Sequence, residues 1–482
     1  MASLKQLIEE LCKYPSETEF IEFKESFFDF DKEGQDFCAL ANSATLHNMR
    51  CAYKVWGIAD DTHEVVGTDF RPRTKKTGNQ DLEIWLREML SSNVHFEFQE
   101  GEVFGKHIVV AKIAPATYQI ARFKNIAYIR TGSSTQKLKA GSKREADLWN
   151  KVNQATFEAQ FSLQGLSFEN VSDLIDIPAY FNGLNTPMPS NEQALAHTLE
   201  ADKIIEKNLD GTYAITNLGA ILFARDLNNF PSARRKALRV MKYSGPSRIT
   251  MLKDNTFQAG YAVDFETAFQ FVNALLPSEE RIDSALRKSV SEFPPIAVRE
   301  LMGNSLVHQD FQIAGAGPMV EVFDGRIEVT NPGAPLVDVE RIVNDPPFSR
   351  NELLAGLMRR LGMCEEAGTG WDKIIEACEA NHLPAPKIEV TSESTRVVLY
   401  GHRAFKDLSP EERREACYWH VCVRYAARTY ASNQSLRERF GIKASNSAQI
   451  SRLIKTCIEE NLIKPLDPET SPRYMRYIPA WV

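Results

Sequence analysis

The sequence has no apolar run near the ~18–20 residues that a membrane-spanning helix needs, so a helical membrane protein is excluded. Met1 to Glu10 carry no cleavable signal pattern, and the eight cysteines follow no disulfide-framework spacing. A reducing, cytoplasmic setting is therefore the expectation. No repeat or low-complexity tract is visible, which excludes a solenoid. A phosphate loop of the form Gly-x-x-x-x-Gly-Lys-Ser/Thr is also missing. Gly105-Lys106 is followed by His107 and has no earlier glycine at the right distance, so a translocating helicase motor is excluded.

What is present is a globular composition. The 482 residues are 43% hydrophobic and 25% charged, enough for roughly three or four domains of ordinary size. Helix-like and strand-like runs are mixed along the chain, giving an α+β multidomain expectation. Tyr53 to Ile58 and His107 to Ile113 read as strands, Asp81 to Leu90 as a helix, and Asp210-Gly211 and Asp324-Gly325 as hairpin turns. The net charge of −7 is unevenly spread: residues 71–148 carry 14 Lys/Arg against 8 Asp/Glu, and residues 403–482 carry 14 against 9. Two basic regions in an acidic chain suit phosphate contacts, although a solvated charged face gives the same count.

Near the N-terminus, Glu17, Glu22 and Asp60 offer hard oxygen donors, and Lys24 shares a strand face with Glu22. Phosphodiester cleavage needs carboxylates that hold Mg²⁺ or Mn²⁺ to activate water, and an ammonium to balance charge at phosphorus. A plain surface role for such common residues stands beside that reading. In order and spacing, Glu17-x-x-x-x-Glu22-Phe-Lys24, Ala39-Leu-Ala41-Asn42, Gly57-Ile-Ala-Asp60 and Tyr128-Ile-Arg130-Thr-Gly132-Ser133-Ser134 resemble the Schlafen/AlbA-type nucleic-acid-binding domain over about residues 14–140. The resemblance implies a metal site at Glu17, Glu22 and Asp60 with Lys24 beside it, and either cutting or binding without cutting. The chain departs from the pattern at Ser43 to Cys51, where a glycine pair is expected. Arg71, Arg73, Lys75, Lys76, Arg122, Lys124, Arg130 and Lys137, near Phe123 and Tyr128, are the candidate contacts for phosphates and bases.

Pro294-Pro295 open a helix in which Glu300, Asn304 and His308 recur every four residues as one polar stripe, with Val298, Leu301, Leu306 and Val307 opposite. An amphipathic helix with the stripe in solvent is the bland reading. Together with the hairpin at 320–333 and Glu365-Glu366-Ala-Gly368-Thr369-Gly370-Trp-Asp-Lys373, the pattern resembles the GHKL-like ATPases of gyrase, MutL and sensor histidine kinases. It is most similar to the branch fused to Schlafen/AlbA-type domains and often labelled RecG-like helicase. The resemblance implies ATP and Mg²⁺ as cofactors. Glu300 would polarise the attacking water and Asn304 would hold Mg²⁺, while Gly333 lets the backbone approach the base. Gly368, Thr369, Gly370 and Lys373 would serve the phosphates, and 337–367 would form a lid. Asn331-Pro332 stand where that superfamily usually has an Asp for the adenine amino group.

At the C-terminus, Asn433 to Gly441 and Ser445 to Glu460 have helix-turn-helix spacing. Asn446, Gln449, Arg452 and Lys455 face outward, and Lys464, Arg473 and Arg476 lie on a wing. Contact with DNA and a protein-docking role are equally open for such a module. Cys417, His420 and Cys422 read as packed helix residues rather than zinc ligands.

The expected organisation is a Schlafen/AlbA-type domain (1–150), a linker and winged-helix-like element (151–250), a GHKL-like ATP-binding domain (251–402) and a C-terminal winged helix (403–482). The expected function is that of an ATP-regulated, metal-dependent nuclease acting on RNA or DNA, in bacterial defence against phage and as a homo-oligomer. The alternative is an ATP-sensing DNA-binding regulator that does not cut.

Overall fold

A computed structural model describes residues 4–14, 17–47, 49–117, 119–154, 156–283, 286–343, 348–364 and 370–482. The architecture is α+β and multidomain, with helices interleaved among several separate sheets. The chain divides into two units, residues 1–171 with 205–216, and residues 172–204 with 217–482.

The first unit is built on a four-stranded sheet in the order Ile21–Lys24, Ala52–Trp56, Lys106–Ile113, Phe96–Val103. Ile21–Lys24 runs parallel to Ala52–Trp56, and the other pairs are antiparallel. Both faces of the sheet are covered, so alternate residues of one strand enter two different cores. Ile21, Phe23, Tyr53 and Val55 pack with Leu7, Ile8 and Leu11 of the helix Leu4–Leu11. On the other face, Ala52 and Trp56 pack with Phe37, Leu40 and Ala44 of the helix Phe30–Leu46. That second helix starts where the Asp29 side chain accepts the Lys32 amide at 2.9 Å, and Asp31 and Glu33 in its first turn suit the positive end of the helix dipole. The alternation has a consequence: Glu22, Lys24 and Lys54 must point toward the Phe30–Leu46 face, into an otherwise apolar layer. A hairpin, Tyr128–Thr131 with Ser134–Lys137, packs against the same helix.

The segment expected as a single winged-helix element is shared between the units. The hairpin Ile205–Lys207/Tyr213–Thr216 joins Phe161–Leu166 in a three-stranded sheet of the first unit, while the helices Ile177–Gly183 and Glu192–Ala201 belong to the second.

The second unit holds a six-stranded sheet in the order Thr250–Phe257, Leu238–Ser244, Met319–Phe323, Arg326–Pro332, Ser394–Tyr400, Lys387–Val390. The helix Pro295–Val307 packs on the strand Arg326–Pro332 and on the helix Gly370–Ala380. Residues 410–482 add helices Pro410–Ala426, Asn433–Arg439 and Ser447–Glu459 and a hairpin, Ile463–Pro465 with Tyr477–Pro479. Their core comprises Cys417, Val421, Leu436, Ile450, Ile454 and Cys457.

Candidate functional site

In the first unit, the structure brings Glu17, Glu22, Lys24 and Asp60 together. The Lys24 ammonium lies 3.6 Å from Glu17 Oε1, 3.1 Å from Glu22 Oε1 and 2.9 Å from Asp60 Oδ2. Glu17 is fixed by the Phe23 amide, which donates to its Oε1 at 2.8 Å. Arg130 is the residue whose placement differs most from expectation. Counted among the cations for nucleic acid, it is instead fully buried. Its guanidinium pairs with Glu22 and lies 3.7 Å from Glu17 Oε2, and it donates to the carbonyls of Thr18 and Ser133. Burial pulls Arg130 down to about 10 against the opposing pull of Glu17 and Glu19, which leaves it charged at neutral pH. The Ser43–Cys51 departure has a local use here, because Ser43 Oγ accepts the Arg130 amide at 3.0 Å. Asn42 ties the helix to the segment after it, donating to Ala121 O and Tyr128 O and accepting the Ala121 amide.

A second buried ionic group lies beside the first and was not anticipated. Lys54 is the register partner of Glu22. Its ammonium sits 2.7 Å from Asp36 Oδ2 and 2.8 Å from Glu33 Oε2, with all three side chains about 1% exposed. Thr135 and Lys32 complete the coordination of Asp36. Burial pushes Glu33 up to about 7, only partly offset by Lys54. For Lys54, desolvation alone would lower its affinity for a proton, but the two carboxylates outweigh it and hold it above the ordinary value. Glu19, also unanticipated, is held below the usual carboxylate range. Burial would raise it, but Arg144 at 2.5 and 2.6 Å, His47 and the Gly132 amide prevail.

The metal expectation can be tested on the donor set. Three carboxylates would suit Mg²⁺ or Mn²⁺, but two cations of the protein already stand between them. Among the described residues no group of three or more His, Cys, Asp or Glu is placed to hold a metal ion. The residues as arranged do not fit a metal, because Lys24 takes the central position.

Of the remaining cations expected to meet nucleic acid, Arg73, Lys76, Arg122, Lys124 and Lys137 are exposed, and Arg71 and Lys75 are half-buried. Arg71 donates to the carbonyls of Thr68 and Phe70, which makes it a brace for its own loop. Lys76 pairs with Asp81, and Lys124 pairs with Asp31 while lying over the rings of Trp85 and Phe123.

In the second unit, the polar stripe of the helix Pro295–Val307 runs from the buried Glu300 through the half-buried Asn304 to the exposed His308. Glu300, Asn304 and His308 all line a cavity of about 670 Å³. Val298, Leu301, Leu306 and Val307 are buried, and Leu301 and Val307 line the same cavity beside the stripe. Val329, Ile388 and Val397 from the sheet, and Val337, Val339, Ile342 and Phe348 from the segment expected as a lid, supply apolar walls. Asn331 and Thr395 add polar groups to the sheet wall, and Arg350 and Arg359 are its guanidinium groups. The Asn331 amide donates to Pro332 O at 3.2 Å and His308 O at 3.4 Å.

Two glycines define how closely the walls approach. Gly370 opens the helix Gly370–Ala380 against Glu300, and a Cβ there would come 2.0 Å from Glu300 Oε1. Gly333 has φ +100°, and a Cβ would lie 2.8 Å from the Asp310 Cβ and 2.6 Å from Arg350 Nη1. Lys373 sits in the first turn of the Gly370–Ala380 helix but is not among the residues lining the cavity. Gly368 and Thr369 lie outside the described residues.

In the C-terminal segment, Asn446, Gln449, Arg452 and Lys455 are exposed, as are Lys464, Arg473 and Arg476. Cys417 and Cys422 are buried. His420 Nδ1 lies 3.0 Å from Glu379 Oε2 and its Nε2 lies 2.9 Å from Ser435 Oγ, so both ring nitrogens have partners. No helix among the described residues is long and apolar enough to cross a membrane.

Comparison with known proteins finds two matching segments in this chain. Residues 17–139 match the family model described as Schlafen, AlbA_2, and residues 315–399 match that described as Putative ATP-dependent DNA helicase recG C-terminal. The chain thus carries a Schlafen/AlbA_2 segment followed by an ATPase-like segment, and these families connect it with ATP and with nucleic acid. No curated protein matches it. Among solved structures, the DIP2311 protein from Corynebacterium diphtheriae is similar at 16% identity with a TM-score of 0.43, over 98% of this chain and 96% of that one.

Proposed function

We propose, with the fused Schlafen/AlbA_2 and ATPase-like segments as premise, that this protein binds ATP in the Glu300 cavity and acts on nucleic acid under control of that nucleotide. One observation carries the reading: Glu300 and Asn304 of one helix, Asn331 of the sheet and Gly370 at the start of another helix meet at one cavity that also has apolar walls. The buried Glu300 carboxylate is in position to orient and deprotonate a water. Asn304 offers a hard amide oxygen for Mg²⁺, which would balance the charge of the phosphates when bound. The start of the helix Gly370–Ala380 presents backbone N–H groups of the kind that receive phosphate oxygens. The Asn331 amide nitrogen is turned to backbone carbonyls, which leaves its oxygen to accept from the amino group of a base. Calorimetric titration of ATP into the protein with Mg²⁺ tests this. Saturable binding that Asn304→Ala weakens supports it, and no heat of binding sinks it.

For the first unit we infer nucleic-acid binding through the exposed cations, without cutting, because Lys24 and Arg130 already neutralise the carboxylates. This corresponds to the regulator reading, with Arg452 and Lys455 as a further contact for DNA. The nuclease reading, with a role in defence against phage, is kept by a different observation: Asp60 is 46% exposed, so a phosphate could reach Lys24 at the mouth of the cluster. Labelled transfer RNA, single-stranded RNA and DNA incubated with Mn²⁺, with and without ATP, separates the two. Cutting that disappears in Glu22→Ala/Asp60→Ala would establish the nuclease, whereas intact binding with no cutting leaves the regulator. Assembly into a homo-oligomer, in the cytoplasm, belongs to the same proposal.

A further inference from the structure

We infer that the C-terminal helices 410–459 read the occupancy of the nucleotide cavity, through three contacts that start on cavity walls. This rests on the cavity being a nucleotide site and adds the element that responds to it.

The first contact is the helix Gly370–Ala380, a rigid rod of about 16 Å at 1.5 Å per residue. Its first residue is seated against Glu300 with no room for even a methyl group. Near its other end Glu379 meets His420 of the helix Pro410–Ala426 at 3.0 Å, and Arg439 of the helix Asn433–Arg439 at 3.4 Å. His420 in turn reaches Ser435, the residue that closes the capping box of Asn433–Arg439. A shift of the rod therefore reaches both helices at once. The second contact runs through Trp371, which lines the cavity with one side and meets Trp419 edge-on, with ring centroids 5.8 Å apart. Its indole nitrogen is buried and has no hydrogen-bond partner, an arrangement that costs free energy until an acceptor arrives. The third runs through the turn Val339–Arg341. Val339 lines the cavity, the Tyr418 hydroxyl donates to Glu340 O at 2.5 Å, and the Arg341 guanidinium lies 5.1 Å over the Trp481 ring. The Trp481 nitrogen donates to that same Tyr418 hydroxyl.

The three contacts begin at different walls and end on one module. A ligand that shifts Glu300, Trp371 or Val339 changes their packing against it, because close-packed interiors transmit displacement rather than absorb it. Such coupling is reciprocal, so whatever the exposed face of Ser447–Glu459 binds would alter nucleotide affinity by the same factor.

Hydrogen–deuterium exchange of the full chain with and without the slowly hydrolysed analogue ATPγS in Mg²⁺ tests the inference, with calorimetry run on the same samples. Binding is expected to slow exchange in segments 410–426 and 433–446 by roughly fivefold or more. In Glu379→Gln/Tyr418→Phe that response should fall below about twofold with nucleotide affinity retained, and Tyr418→Phe alone, which keeps the ring, should show an intermediate loss. Nucleotide binding with no change in these segments, or a full response in the double variant, overturns the inference. Absence of binding in the calorimeter removes the nucleotide reading itself, and the inference with it.

Discussion

The two carboxylate sites of this chain use similar residues for opposite ends. Around Glu22 the protein supplies its own counterions: Lys24 touches three carboxylates, Arg130 two, and Lys54 continues the arrangement to Glu33 and Asp36. Around Glu300 an acid, an amide and a helix start line a cavity of about 670 Å³. The first acid is locked among cations of its own fold, whereas the second stands on the wall of a cavity large enough for a ligand. A sequence displays the acids of both but says little about which cations fold back onto them.

The largest effect is expected at Glu300. Glu300→Gln should lower ATP hydrolysis by roughly two to four orders of magnitude while nucleotide still binds, if the carboxylate acts as general base; phosphate release against calorimetric affinity checks it. Next is Arg130→Met, which leaves Glu22 without its buried partner. A loss of up to about 3–5 kcal/mol is expected on denaturant unfolding, because the buried Glu22 then keeps Lys24 but loses its buried guanidinium partner. A loss below about 1 kcal/mol would mean that the first site is not held by internal pairing.

Glu33 couples folding to proton uptake. Its folded value of about 7 stands above its ordinary 4.5, so the folded state holds the extra proton between those values and stability falls as pH rises through that window. Glu33→Gln should flatten this slope, removing on the order of 2 kcal/mol of pH dependence between pH 4.5 and 7. Thermal unfolding across that range measures it. The smallest effect is expected at the surface. Arg452→Ala and Lys455→Ala should each reduce the salt dependence of nucleic-acid binding by about one phosphate equivalent, with little change in stability.

Much of this was legible because chemistry follows period. Glu300, Asn304 and His308 at four-residue spacing lie on one helix face, and Glu22 with Lys24 on one strand face, whatever the surroundings. Arg130 was not legible as a buried group: Tyr128-Ile-Arg130-Thr-Gly132 reads equally as a basic hairpin tip. A signal existed in Lys54, an ammonium inside the run Ala52–Trp56 that is otherwise apolar. Glu33 and Asp36, three apart on one helix, are its complement, but pairing them requires knowing that the helix covers that strand. The inward turn of the Glu300 stripe was also undecided by spacing, since only the close approach of Gly370 and the sheet wall closes the cavity.

The most direct test of the central contrast is thermal unfolding of the whole chain with Mn²⁺ alone and with ATP plus Mg²⁺. The account predicts that ATP with Mg²⁺ raises the unfolding temperature, through the roughly 2.7 kcal/mol of stabilisation that a ligand at one hundred times its Kd provides, while Mn²⁺ alone leaves it unchanged. Stabilisation by Mn²⁺ alone, abolished by Glu22→Gln, with no response to ATP, would contradict it.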